Sequence, residues 1–265
     1  MMIMLTAEQE TLLIPLYSKA TMKQIIDDPT AAAIVEQVDY DFAALRQPWV
    51  TRATLAMRAR KLDQCVREHP APLVIHLGCG LDARADRVAP AAGTLWYDVD
   101  FPEVIELRRR FYRETGTRRM IGSSVTDHFW MDRIEGDGPA VIIAEGLLMY
   151  LREAEVKELV KALRHRFPGS LLAFDAFTTF VARRIARHPS LRKTGAQVRW
   201  GIDDPLEITR WAPGVELTGE WTLADPTSLS ALGPLRRLQL KAMFALPAAK
   251  RAHRILRYRL GPGGS

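Results

Sequence analysis

The stretch Leu73-Val74-Ile75-His76-Leu77-Gly78-Cys79-Gly80-Leu81-Asp82-Ala83 decides the fold. Its first five residues read as a buried strand, its two glycines as a turn, and Asp82–Val88 as a following helix. Glycines at such a junction let the backbone approach a ligand closely, and the helix's first turn offers it unpaired N–H groups. Outward from there, Thr94–Val99 predicts a second strand and Pro102–Thr115 a helix. Met120-Ile121 is a short third strand, Ala140–Ala144 a fourth with a helix over Arg152–Phe167, and Leu171–Phe174 a fifth with a helix over Thr178–Arg187. Strands alternating with helices imply a parallel sheet covered on both faces. Before the first strand the chain reads as helices over Ala7–Tyr17, Pro29–Val38 and Thr51–Glu68, with Asp28 as a cap ahead of Pro29. Beyond Pro189 the pattern loosens, then Val215–Leu223 alternates like a strand, Leu235–Leu246 like a helix and His253–Leu260 like a strand.

Composition narrows the function. The 265 residues carry 37 Lys+Arg against 31 Asp+Glu, a net charge of +6. Pro226–Ser265 holds eight of the basic residues and no acid, so the preceding 225 residues carry −2. That distribution argues against a nucleic-acid binder, whose charge would cover a face of the whole domain. The basic end reads as a solvated face, with only Phe244 and Tyr258 among its cations for stacking on RNA. Two cysteines, Cys65 and Cys79, exclude a disulfide framework and a cysteine metal cluster. No histidine spacing marks a metal site or a dyad. The start, Met1–Leu5, meets Glu8 at once and does not read as a signal peptide. No apolar run approaches the roughly 18–20 residues of a membrane span, so a cytoplasmic protein is expected.

Asp100 follows Gly80 by twenty residues and closes the second strand, where a carboxylate can accept two hydrogen bonds from a ribose diol. The pair predicts a nucleoside-bearing cofactor. It does not separate NAD from S-adenosylmethionine, because Gly78-x-Gly80-x-x-Ala83 also fits the dinucleotide pattern. Three features favour S-adenosylmethionine. None of the six tyrosines has Lys four positions on; the last strand–helix–strand looks antiparallel; and Glu145, right after the fourth strand, can face a sulfonium or an amino group.

These residues sit among others that together resemble the leucine carboxyl methyltransferase family, and within it the bacterial polyketide O-methyltransferases of the tetracenomycin type. The likeness is carried by Thr11–Ala20, Met57–Arg60, the glycine turn with Asp82-Ala83-Arg84, Trp96–Pro102, Gly122–Asp127 and Ala144–Leu151. It implies an α/β, class I (Rossmann-like) methyltransferase with a seven-stranded sheet, mostly parallel with an antiparallel last strand. N-terminal and inserted helices would form a lid. A single domain over 1–265 is expected, with 1–70 as a helical cap and 188–214 as a substrate-side insertion.

The resemblance also implies site roles. The glycine-loop contact falls on Gly78 with Gly80, the ribose acid on Asp100 rather than Asp98, and the acid after the fourth strand on Glu145. The arginine for the cofactor's carboxylate falls on Arg58, in phase with Leu62, Cys65 and Val66, with Arg60 as second candidate and Lys19 assisting. The adenine-edge pair, Asp-Leu in the carboxyl methyltransferases, is Ser124-Val125 here, so its charge is gone. Arg108-Arg109-Arg110 reads as a solvated face, and His76 as a core histidine.

Acceptor contacts are expected from Tyr17, Tyr150 and Arg199, with Arg199-Trp200 and Arg210-Trp211 as cation–aromatic pairs whose plainer reading is core tryptophan and surface arginine. With no base in view near Gly78, Asp100 and Glu145, a carboxylate of a small secondary-metabolite-type molecule is the expected acceptor, since it is already ionised at pH 7. A phenolic or enolic hydroxyl is the variant of that reading. A protein C-terminal carboxylate is the alternative, and a non-catalytic RNA-binding role is more distant. A monomer or homodimer without nucleic-acid or membrane partners is expected.

Overall fold

In the computed structural model, residues 7–136, 138–186, 197–223 and 229–261 are described. The opening residues Met1–Leu5, positions 188–196 of the expected insertion, Arg187, the first residues of the basic end (226–228) and the closing 262–265 lie outside them.

The sheet has seven strands in the order β3-β2-β1-β4-β5-β7-β6. They are β1 (Leu73–Leu77), β2 (Leu95–Asp100), β3 (Arg118–Gly122), β4 (Ala140–Ala144), β5 (Ser170–Phe177), β6 (Val215–Thr222) and β7 (His253–Leu260). The five strands from β3 to β5 run parallel, and β7 lies antiparallel between β5 and β6. β1 and β4 are buried along their whole length, which is why both read as unbroken apolar runs. Their alternation sorts the core into two layers. Leu73, Ile75, Leu77 and Ile142 face a layer with Leu159, Leu163, Phe167 and Trp200, while Val74, Val141, Ile143 and Ala173 face one with Leu62, Cys65 and Val66.

The helices are α1 (Ala7–Thr21), α2 (Pro29–Gln37), α3 (Trp49–Glu68), α4 (Arg84–Val88), α5 (Pro102–Arg108), α6 (Glu153–Arg166), α7 (Thr179–Ala186), α8 (Pro234–Met243) and α9 (Pro247–Arg251). Asp28 caps α2 by accepting from the Ala31 amide at 2.8 Å. Leu13, Leu16 and Ala20 of α1 and Ile34 of α2 pack on Cys79, Leu81 and Ala83, so the N-terminal helices cover the glycine turn. Leu240 of α8, with Leu229 and Leu232, packs with Met57 and Ala56 of α3. No helix among the described residues is long and apolar enough to cross a membrane.

Among the boundaries that differ from the sequence reading, three have a plain local cause. α1 continues to Thr21, its Ser18 and Thr21 hydroxyls donating back to the Ile14 and Tyr17 carbonyls at 2.7 Å. α4 starts at Arg84 because the Asp82 amide is spent in a turn to the Cys79 carbonyl, 3.0 Å. α5 stops at Arg108, where the next amides turn tightly back onto Leu107 and Arg108 and the Tyr112 hydroxyl donates to the Leu81 carbonyl.

Candidate active site

β1 and β4 are neighbours, yet their following connections leave in opposite directions across the sheet, so a crevice opens at their carboxyl ends. Gly78 and Gly80 line it with φ of +61° and +48°, the left-handed region that favours glycine. A Cβ on Gly78 would meet the Leu147 side chain at 3.0 Å. The Gly80 amide donates to Asp100 Oδ2 at 2.7 Å and the Phe101 amide to Oδ1 at 2.8 Å. Burial outweighs both bonds and pushes the Asp100 carboxyl up to about 6.

Asp98 is fully buried and spent internally. It accepts from Trp96 Nε1 at 2.9 Å and from Arg108 Nη2 at 2.8 Å, while Arg108 Nη1 donates to the Gly80 carbonyl at 2.8 Å. Burial by itself would raise Asp98; Arg108, His76 and Arg118 hold it well below the usual carboxylate range. The solvated face expected at Arg108-Arg109-Arg110 therefore needs correction. Arg108 is buried beneath the turn, because an unpaired buried Asp98 would cost more than burying its partner. His76 lies in the core of β1, where burial keeps the ring neutral, with Nδ1 3.5 Å from Asp98 Oδ1.

A web of charges sits beside the turn. Arg58 of α3 donates from Nε and Nη2 to Glu145 Oε1 at 3.2 and 3.0 Å, and from Nη1 to Asp175 Oδ2 at 3.0 Å. Arg84 pairs with Glu145, with Asp82 at 3.0 Å and with Asp63 at 2.8 Å. Lys19 reaches Asp82 at 3.2 Å, and Arg87 joins Asp28, Asp63 and Asp82. Glu145 is held ionised against the cost of burial by Arg58, Lys19 and Arg84. The Gly146 amide donates to Asp175 Oδ1 at 2.6 Å, and the missing Cβ of Gly146 leaves room for the Arg58 guanidinium, 3.2 Å away. Arg60, one step along α3, is only half-buried.

The remaining candidates are scattered. Ser124 Oγ shares a hydrogen with Thr126 Oγ1 at 2.8 Å, while the Val125 side chain is in the core. Tyr150 packs with Met149 and Ala182, and its phenol is raised by burial, with Arg58 opposing and Asp175 reinforcing that shift. Tyr17 stacks on Phe42 at 5.0 Å. Arg199 is exposed, although its amide is tied to the Met149 carbonyl at 2.8 Å, and the charge it acts on is Glu155 rather than the web. Trp200 and Trp211 pack 6.3 Å apart in and against the core, and Arg210 pairs with Asp204 at the surface.

Sequence reading missed Asp63, Arg84, Asp175 and His253. His253 Nε2 lies 2.7 Å from Asp175 Oδ2 across 78 residues of sequence, a pairing that only the β5–β7 register creates.

The web holds four cations, Lys19, Arg58, Arg84 and Arg87, against five carboxylates, Asp28, Asp63, Asp82, Glu145 and Asp175. S-adenosylmethionine carries an ammonium, a sulfonium and a carboxylate, so its single net positive charge complements that surplus. Were that molecule bound here, Arg58 would present a planar fork to its carboxylate and Asp100 acceptors to its ribose diol. When bound, the molecule supplies a methyl group activated by the sulfonium.

This sheet order, with a glycine turn after β1 and an acid closing β2, defines a class I S-adenosylmethionine-dependent methyltransferase. The leucine carboxyl methyltransferase profile matches residues 9–164, and the chain belongs to that family. Over 264 residues it is 37% identical to the tetracenomycin polyketide synthesis O-methyltransferase TcmP of Streptomyces glaucescens, covering 97% of this chain and 98% of that one. It is 31% identical over 242 residues to the S-adenosyl-L-methionine-dependent methyltransferase dpfgK of Gibberella zeae, covering 80% and 81%. A crystal structure of a DUF574 family protein from Streptomyces avermitilis shares the fold, with a TM-score of 0.62 at 16% identity over 97% of this chain and 100% of the other.

Proposed function

We propose that the protein transfers the methyl group of S-adenosylmethionine to an oxygen atom of a small secondary-metabolite-type acceptor, a carboxylate or a phenolic or enolic hydroxyl. It would act in the cytoplasm, as a monomer or homodimer. The observation that carries this reading is the reach of the likeness to TcmP, a polyketide-synthesis O-methyltransferase. That likeness covers 97% of the chain, whereas the family profile ends at residue 164 and leaves out β5, β6 and β7.

In this reading Lys19 and Arg58 hold the cofactor's carboxylate, Glu145 faces its ammonium or sulfonium, and Asp100 its ribose. Gly78 and Gly80 admit it to the backbone, and Ser124-Val125 meets the adenine edge. Methyl transfer is an in-line displacement, so alignment of the acceptor oxygen with the methyl carbon supplies most of the acceleration. Tyr150, under the influence of Arg58 and Asp175, is one acceptor-side candidate, with Tyr17 and Arg199 as the others.

The family's name favours a second reading, transfer to a protein's C-terminal carboxylate. One experiment separates them. The enzyme is incubated with methyl-deuterated S-adenosylmethionine and a cell extract split into metabolite and protein fractions, and products are read by mass spectrometry. Labelled O-methyl groups on small molecules support the proposal. Label confined to alkali-labile esters at protein C-termini supports the second reading. Label on nitrogen or carbon overturns both.

A further inference from the structure

Resting on the O-methyl transfer reading, we propose that His253, oriented by Asp175, is the general base that takes the proton of a phenolic or enolic hydroxyl acceptor. Phe177 pairs with His253 and Asp175 with Ile255, so His253 and Asp175 are diagonal neighbours on one face of the sheet. Ala144 is level with Phe174, which puts Glu145 level with Asp175 and His253 two residues further out over the carboxyl edge. The ring therefore stands at the rim of the site whose floor holds Arg58, Glu145 and Asp175.

The environment suits proton transfer. Asp175 is fully buried while the His253 side chain keeps 15% exposure. The Asp175 carboxyl is pushed up by burial but held well below its usual range by Arg58, His253 and the Gly146 amide, so it stays an anion. With Nε2–H donating to that anion, Nδ1 keeps its lone pair, and no hydrogen bond among the described residues engages it. The Phe177 ring, 4.2 Å away and tilted 36°, fixes the imidazole plane. Arg58 faces the dyad from α3 through Asp175, and Lys250 and Arg251 of α9 precede it in the chain.

The step balances. The acceptor O–H gives its proton to His253 Nδ1, the oxygen lone pair forms the O–CH3 bond, and the C–S bond breaks with its electron pair kept by sulfur. The positive charge of the sulfonium is thereby exchanged for that of an imidazolium stabilised by Asp175, which then releases its proton to water. A carboxylate needs no such base, whereas a phenol with a pKa near 10 does. The dyad thus selects the hydroxyl over the carboxylate expected from sequence.

The test uses the full chain with S-adenosylmethionine and two probes of one size, 2-naphthol and 2-naphthoate. Wild type is expected to methylate 2-naphthol, with activity falling toward acid pH. His253→Gln is expected to lose about 100-fold or more of kcat, keep KM and S-adenosylhomocysteine affinity, and lack that acid limb. His253→Ala should regain at least about tenfold of its activity with added imidazole, a rescue that a merely structural histidine would not show. Transfer to 2-naphthoate alone, His253→Gln equal to wild type on 2-naphthol, or no rescue by imidazole overturns the base. Those results leave O-transfer intact, whereas label on nitrogen or carbon in the extract fails the underlying reading itself.

Discussion

Asp98 and Asp100 share one face of β2, and their carboxyls are driven in opposite directions. Asp98 is surrounded by guanidinium and indole donors; Asp100 has two backbone amides and, among the described residues, no ion-pair partner. The first is an internal strut. The second is a half-buried acceptor whose desolvation no ion pair among the described residues offsets, as expected of a group that waits for ligand donors.

Asp100 should make cofactor binding pH-dependent. Its carboxyl sits near 6, and ribose hydroxyls donate best to the ionised form, so binding favours proton release. Calorimetry should show S-adenosylhomocysteine affinity falling about tenfold from pH 7 to pH 5, and Asp100→Ala should flatten that slope and cost about 2–4 kcal/mol at pH 7. Stability has the opposite sign. A raised carboxyl contributes stability fully below its unfolded value near 4, lost as pH rises through about 6. Asp100→Asn should therefore raise the melting temperature of the ligand-free chain at pH 8. Unchanged affinity in either variant would remove Asp100 from the site.

Arg58 and Arg60 differ by about 200° around α3, so only one can serve the crevice. Arg58 is the one bonded to Glu145 and Asp175. Arg58→Met should weaken S-adenosylhomocysteine at least about tenfold by removing the bidentate donor, while Arg60→Met binds as wild type. Titration of both variants side by side decides it. The reverse order would shift the site by one helical step.

Arg108→Met should be the most destabilising of these changes, because it strands Asp98 in the core. A loss of about 3–5 kcal/mol is expected in urea at pH 7. Asp98 is depressed in the folded chain, so its contribution is present above about pH 4 and fades as pH falls below it. The gap between variant and wild type should accordingly narrow in acid. A variant as stable as wild type at pH 7 would return Arg108 to the solvated face.

What could be read from sequence was whatever is local. β1 and β4 announce themselves because a strand buried on both faces has no polar positions, and Gly78, Gly80 and Asp100 because a turn and the end of the next strand meet in every such unit. Buried charges are invisible to that logic. Arg84 and Arg108 have ordinary charged sequence contexts, and each is fully buried only because a distant or opposed carboxylate awaits it. Asp175 and His253 needed the antiparallel register of β5 and β7, which no local pattern encodes. Pro102–Thr115 looked helical throughout, and tertiary turns around Arg108 and Tyr112 cut it short.

The place of β7 between β5 and β6 also sets an order of assembly. β6 meets the rest of the sheet only through β7, which is synthesised after it. Until β7 arrives, β6 is a strand without a neighbour, its Val215, Leu217 and Trp221 exposed on an open edge. The two strands must dock on β5 together as a late, long-range event, of the kind that slows folding and invites chaperones. A chain caught before that event already owns its glycine turn and Asp100, yet the imidazole of His253 has still to meet Asp175.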